Sequence, residues 1–241
     1  CRGLDDRNAK LLELLVGAGT ARELGARVLI LVAPYLCYMR QDTAFHPGEA
    51  ISQRSIGRWL AAHFDTVITV DPHLHRVHAL AEAVPARRAI ALSAAPLLGE
   101  YAARQFDSPL LLGPDAESAP WVAAAAQAGG LQGAVASKER RDDRSVVVTL
   151  PDIDVRNRSV VLIDDIASTG GTLARAAEAL YAHGAAAVHA LVTHALFVDH
   201  AEQRLQDAGI RSLHSSDSIA HASNAIALTG LLAQTCKELM S

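Results

Sequence analysis

The sequence predicts an α/β protein built on largely parallel sheets. Short, continuously apolar segments recur along the chain, and helix-patterned stretches separate them, the alternation that β-α-β crossovers produce. One apolar segment, Val160–Ile163, runs straight into two adjacent carboxylates and a glycine-rich turn, the kind of strand end that carries ligands in open parallel sheets.

Taken in order, Arg7–Leu24 places Leu11, Leu14, Leu15 and Ala18 on one helical face, with Asp5 and Asp6 as caps. Val28–Val32 is apolar and partly β-branched, as expected of a strand covered on both faces. A helix over 52–63 and a buried strand over 67–70 follow. Beyond a histidine-rich loop, strands are expected at 89–92, 109–112, 133–137, 145–149, 159–163 and 187–193. Helices are expected at 96–106, 118–128, 171–183, 199–208 and 223–239. Eight or nine strands suffice for one sheet or two smaller ones, and Ser93–Pro96 is a candidate boundary. The run Lys138–Ser145 is densely charged, has no apolar anchor and reads as a loop.

Composition narrows the function. The chain has 241 residues, half of them hydrophobic and 20% charged, so it can bury a sizeable core. Twenty-two basic residues against 26 acidic ones argue against sequence-independent nucleic-acid binding. The longest apolar run, Val28–Met39, falls short of the roughly 20 residues that span a bilayer, so no membrane partner is expected. The three cysteines, Cys1, Cys37 and Cys236, have no metal-ligand spacing and fit a reducing, cytoplasmic setting. Only three residues are lysines, Lys10, Lys138 and Lys237, which draws attention to each. The chain lacks an initiator Met and a signal segment, so a preceding segment is expected to be missing.

The stretch Val160-Val161-Leu162-Ile163-Asp164-Asp165-Ile166-Ala167-Ser168-Thr169-Gly170-Gly171-Thr172 carries the chemistry. Glycines let a ligand approach the backbone, and successive N–H groups at a helix N-terminus attract phosphate. Ser168, Thr169 and Thr172 add hydroxyl donors, whereas Asp164 and Asp165 suit the vicinal hydroxyls of a sugar. No lysine occurs in the turn, which separates it from nucleotide-binding loops ending in Gly-Lys-Ser/Thr. The plainer alternative is a strand–turn–helix with an aspartate cap.

This stretch resembles the phosphoribosyl-pyrophosphate (PRPP) loop of the type I phosphoribosyltransferase superfamily. Three further segments are similar to the ribose-phosphate pyrophosphokinase family: Pro34-Tyr35-Leu36-Cys37-Tyr38-Met39-Arg40-Gln41-Asp42, Val70-Asp71-Pro72-His73 and Pro114-Asp115-Ala116. The resemblance holds in order over nearly the whole chain. It implies two phosphoribosyltransferase-like halves, each a mainly parallel sheet flanked by helices. The first covers 1–94 and is joined by 223–241; the second covers 95–222.

By that resemblance the chain transfers the diphosphoryl group of Mg-ATP to the anomeric hydroxyl of ribose 5-phosphate, giving PRPP and AMP. Arg40 and Gln41 would bind ATP with Asp42 holding the segment, and His73 would contact the ATP–Mg2+ unit. Asp115 would meet a second Mg2+ or the ribose. Asp164 and Asp165 would take the ribose hydroxyls, and Ser168, Thr169, Gly170, Gly171 and Thr172 the 5-phosphate. Lys138 and Arg140 align with the family's mobile catalytic loop, where positive charge must reach the transferring group. A homodimer or larger assembly is expected, with the last helix packed on the first half, as is an N-terminal segment that reaches ATP in a neighbouring subunit.

Four departures mark a divergent branch. Thr43 replaces a basic residue, Ser168 replaces an Asp, Glu117–Trp121 replace a glycine pair with basic residues, and the continuation after His73 is lost. Two other readings stay open: a non-catalytic regulatory homologue that binds nucleotide or PRPP, and an ordinary phosphoribosyltransferase with a nucleobase pocket. A transition-metal site at His73, His75 and His78 lacks a Cys or second acid to complete it.

Overall fold

The computed structural model describes residues 4–44, 46–74, 76–140 and 146–240, with the backbone alone for 138–140, 146–147 and 240. The chain divides into two compact units: one runs to Leu92 and takes back the chain from Leu228, the other spans Ser93–Ala227.

The first unit holds α1 (Arg7–Glu23), β1 (Ile30–Ala33), α2 (Ser52–His63), β2 (Thr66–Val70), the short α3 (Leu80–Ala83), β3 (Arg88–Leu92) and, from the chain's end, α8 (Thr229–Met240). Its sheet is parallel, in the order β1-β2-β3, with Val32 opposite Ile68 and Ile68 opposite Ile90. All five residues of β2 are buried, as a central strand covered on both faces requires. Helix α1 caps differently from the expectation: neither Asp5 nor Asp6 bonds the first turn through its side chain, and Asp5 instead pairs with Lys10 at 2.5 Å. Of the expected apolar face, Ala18 is buried but Leu15 stays 37% exposed.

The second unit is a six-stranded parallel sheet. In chain order it contains α4 (Ala95–Gln105), β4 (Leu110–Gly113), α5 (Ala119–Gly129), β5 (Gln132–Val135), β6 (Ser137–Arg140), β7 (Val146–Thr149), β8 (Ser159–Ala167), α6 (Gly171–Ala182), β9 (Ala187–Ala195), α7 (Ala201–Asp207), β10 (Ile210–Ser216) and β11 (Asn224–Ile226). The strand order is β11-β10-β9-β8-β4-β5, while β6 and β7 form a separate antiparallel hairpin.

Successive strand residues feed opposite cores. Leu110, Leu112, Val160 and Leu162 pack with Leu173, Ala177 and Leu180 of α6. Leu111, Val161, Ile163 and Leu191 pack with Leu98 and Ala102 of α4 and Val122 and Ala125 of α5. Helices α4 and α5 meet backbone to backbone, since a Cβ on Gly99 would stand 1.9 Å from the Ala125 carbonyl oxygen. The strand order reverses between β4 and β8: β5 lies beyond β4, and β9, β10 and β11 lie beyond β8. Crevices for ligands open at such a reversal, outside the carboxyl ends of the strands.

Four differences from the sequence expectation have local causes. The charge run expected as a loop from Lys138 begins as strand, because Lys138 and Arg140 pair their backbones with Val148 and Val146. Strand β10 appears where none was expected: its Ser215 and Ser216 are buried, but their hydroxyls are bonded to the Ser223 hydroxyl and the Thr193 carbonyl. The last helix starts at Thr229, since Asn224–Ile226 is spent as an edge strand. Helix α7 starts two residues late, as Asp199 and His200 adopt left-handed φ of 51° and 59°.

Candidate active site

In the second unit the sheet reversal brings three sequence-selected carboxylates to one place. Asp115 follows β4, Asp164 and Asp165 stand near the end of β8, and the two strands are direct neighbours, with Leu112 opposite Leu162. Asp115 caps the short 3-10 turn Ala116–Ser118, accepting the Glu117 N–H at 3.1 Å, so its carboxylate is fixed by its own turn. Asp165 is buried, and its N–H donates to the Asp164 carboxylate at 3.0 Å. Burial holds the Asp164 carboxyl well above the usual carboxylate range, and the negative charges of Asp165 and Asp115 push it the same way. Among the described residues no cation acts on Asp164, so a metal ion or donated sugar hydroxyls would relieve the pair.

The turn after β8 is arranged for an anion. Ser168, Thr169, Gly170, Gly171 and Thr172 lead into α6, and their N–H groups meet no acceptor among the described residues. Gly170 takes φ 72°, and a Cβ there would press on Leu205 at 3.1 Å and the Ala201 carbonyl oxygen at 3.3 Å. Gly171 is different. A Cβ on it would point into space lined by the Thr169 hydroxyl at 3.7 Å and the Arg175 guanidinium at 3.6 Å. That space, beside unpartnered amides at a helix N-terminus, is the shape and polarity of a phosphate cradle. Arg175 was not singled out by the sequence, although its place one turn into α6, beside a glycine-rich loop, is a usable signal.

The catalytic pair of the sequence reading, Lys138 and Arg140, lies on β6. That strand begins two residues after β5, whose extension is tied back by the Ala136 N–H to the Gly113 carbonyl at 2.9 Å. The hairpin therefore leaves the sheet beside β4, at the carboxyl end. The side chains of both residues, and 141–145, lie outside the described residues.

In the first unit, Arg40 and Gln41 are exposed on a segment held from behind. Ser52 and Gln53 at the start of α2 donate side-chain bonds to the carbonyls of Tyr38 and Met39, and the Gln53 N–H donates to that of Gln41. Tyr38 is bent to φ 64°, a left-handed conformation unusual for a bulky residue and held by a bond from its hydroxyl to Asn8. Asp42 is buried, and its carboxylate takes a 2.5 Å ion pair from Arg76, which joins this segment to the loop carrying His73. Arg76 was missed by sequence reasoning, for lack of any local signal. The neighbouring Cys37 thiol is pushed up to about 11 by burial and stays protonated at neutral pH. His73 is half-buried, and His75 lies outside the described residues.

The comparisons give the class first. Residues 84–226 match the family model of the phosphoribosyl transferase domain, and residues 2–63 match the N-terminal domain of ribose phosphate pyrophosphokinase. A ribose-phosphate pyrophosphokinase of Methanopyrus kandleri is 33% identical over 97% of this chain and 79% of its own length. Ribose-phosphate pyrophosphokinase 2 of Archaeoglobus fulgidus is 36% identical over 84% and 72%. The chain belongs to the ribose-phosphate pyrophosphokinase family. The crystal structure of phosphoribosylpyrophosphate synthetase from Mycobacterium smegmatis has the same fold, with a TM-score of 0.80 at 24% identity over 95% of this chain and 77% of that one.

Proposed function

We propose that the protein catalyses transfer of the diphosphoryl group of ATP to the anomeric hydroxyl of ribose 5-phosphate, releasing AMP and PRPP. The reading rests above all on one observation: paired carboxylates near the end of β8 adjoin a turn of five amides without a described protein acceptor, in which a Cβ on Gly171 would meet open space beside the Thr169 hydroxyl and Arg175. The 5-phosphate sits on those amides, with Ser168, Thr169 and Thr172 as hydroxyl donors. Asp164 and Asp165 accept from the ribose hydroxyls and so orient the anomeric oxygen for attack. Arg40 and Gln41 hold ATP, Asp42 holds their segment, and His73 contacts the ATP–magnesium unit. Lys138 and Arg140 bring positive charge to the diphosphoryl group as it leaves AMP.

Magnesium fits this donor set in its usual manner, bound by one or two carboxylates and completed by water and substrate phosphates. Among the described residues no cluster of three His, Cys, Asp or Glu could enclose a metal alone, and Asp115 beside the β8 pair is the site's contribution to its shell. When bound, the ion neutralises charge developing on the phosphates. We also infer an assembly of two or more copies, to be read by light scattering, and a cytoplasmic setting in which the thiols of Cys37 and Cys236 stay free. No helix of the described residues is long and apolar enough to cross a membrane.

The test is incubation with Mg-ATP and ribose 5-phosphate, followed by phosphorus NMR, with sugar-free and Lys138→Ala controls. AMP and PRPP appearing together, only with sugar and the intact lysine, is the expected result. Nucleotide binding without product overturns the proposal in favour of a regulatory homologue, and consumption of PRPP with a nucleobase in favour of a phosphoribosyltransferase.

A further inference from the structure

The loop that receives the phosphate is held from outside by a segment to which the sequence assigns no role. Three successive carbonyls, those of Ala167, Ser168 and Thr169, are each taken by the stretch between β9 and the end of α7. The Leu196 N–H donates to Ala167 at 3.0 Å, and the Val198 N–H to Ser168 at 3.2 Å. The third donor is a side chain: the Arg204 guanidinium, from α7, bonds the Thr169 carbonyl. Leu205, the next residue of α7, backs Gly170.

In a trans peptide the carbonyl and the following N–H point in opposite directions, and the described residues contain no cis bond. Fixing the carbonyls of 167–169 on one side therefore turns the N–H groups of Ser168, Thr169 and Gly170 to the other side. Those three amides have no acceptor among the described residues. Two of the three restraints are backbone bonds, which any sequence can supply. The third depends on one side chain reaching 35 positions along the chain.

We infer that Arg204 is a positioning residue for the phosphate cradle: by holding the Thr169 carbonyl from behind, it aims the Gly170 amide at the 5-phosphate of ribose 5-phosphate. The inference rests on the proposed use of this loop for that phosphate. Arg204 itself does not touch the substrate. Its effect is confined to the sugar phosphate, because ATP is assigned to other residues. A lysine can replace it in part, since an ammonium also donates to a carbonyl, whereas a methionine keeps the aliphatic stem and lacks the donor.

The test compares wild type, Arg204→Met and Arg204→Lys in the full chain. Ribose 5-phosphate binding is measured calorimetrically, steady-state kinetics vary each substrate in turn, and melting is followed by circular dichroism. Arg204→Met is expected to weaken ribose 5-phosphate binding about tenfold and to raise its KM to match, the size of one lost charge-assisted hydrogen bond. The KM for ATP stays unchanged, kcat changes far less, and Arg204→Lys recovers most of the loss. Wild-type affinity in Arg204→Met refutes the inference. So does an equal loss for both substrates, or a lysine variant no better than the methionine one, because each points to a merely structural side chain. If wild type binds no ribose 5-phosphate, the proposed function falls and takes the inference with it.

Discussion

Adjacent glycines in the phosphate turn should respond in opposite ways to the same added methyl group. At Gly171 a Cβ meets nothing closer than the Arg175 guanidinium at 3.6 Å, and the residue sits in the first turn of α6 without a left-handed φ. Gly171→Ala removes unfolded-state entropy and should stabilise the fold by about 0.5–1 kcal/mol, a rise in Tm of roughly 1–4 °C for a chain of this size. Gly170 has φ 72° and the Leu205 side chain 3.1 Å from a Cβ. Gly170→Ala should cost about 1–3 kcal/mol from left-handed strain and crowding, a fall of roughly 2–10 °C. Binding should not follow stability. The Gly171 methyl fills the space between the Thr169 hydroxyl and Arg175, so ribose 5-phosphate affinity should fall by about tenfold or more although the protein is more stable. Calorimetric titration and thermal melts on both variants are the assay. Unchanged ribose 5-phosphate affinity in Gly171→Ala would refute the placement of the phosphate.

Lys138→Ala should lower turnover by about 10²–10³ with an unchanged melting curve, and normal turnover removes the lysine from the catalytic assignment. Asp164→Asn should raise Tm at neutral pH while weakening sugar binding. The raised carboxyl of Asp164 favours folding while protonated, so wild-type stability falls as pH rises through its titration, and the Asn variant should lack that fall. Arg76→Ala should cost about 1–3 kcal/mol in Tm measurements, since it leaves the buried Asp42 carboxylate, whose Oδ2 already lacks a hydrogen-bond partner, without its ion pair. His189 and His214 are held below the usual 6.5, both by burial first and His189 also by Arg211. The folded state therefore resists their protonation, and stability should fall as pH drops below 6.5; His214→Gln, at the Tyr101 hydroxyl bond, should flatten that decline in pH-dependent melts.

What the sequence makes legible is whatever depends on local pattern. Val160–Ile163 shows its strand through apolarity, and Ser-Thr-Gly-Gly-Thr shows the turn into α6 because its glycines and hydroxyls are contiguous there. Strand β10 is hidden because its buried hydroxyls are satisfied by partners the local pattern does not show, among them the Thr193 carbonyl 23 positions back and the Ser223 hydroxyl, so its pattern reads as polar. The late start of α7 is hidden for a related reason: nothing in Asp199 or His200 announces two successive left-handed residues. Arg76 and Arg204 illustrate the limit within the site. Each acts through a partner 34 or 35 positions away, Asp42 and Thr169, and an isolated arginine in a sequence carries no trace of such a partner.

The second unit's site is built against its own stability. Asp164 is half-buried beside the buried Asp165 and in the field of Asp115, while a few residues on, five amide donors face no described acceptor. The carboxylates oppose one another at a cost, whereas the loop amides, mostly on residues open to solvent, exchange water for a ligand. One ligand of matching polarity answers both, a sugar with hydroxyls to donate to the carboxylates and a phosphate to accept from the amides, with a cation at the acids. Ligand binding must therefore stabilise the fold by more than it would in a relaxed site, through linkage to the folded state alone. Ribose 5-phosphate with magnesium should then raise Tm more in wild type than in Asp164→Asn, where the carboxylate conflict is already gone.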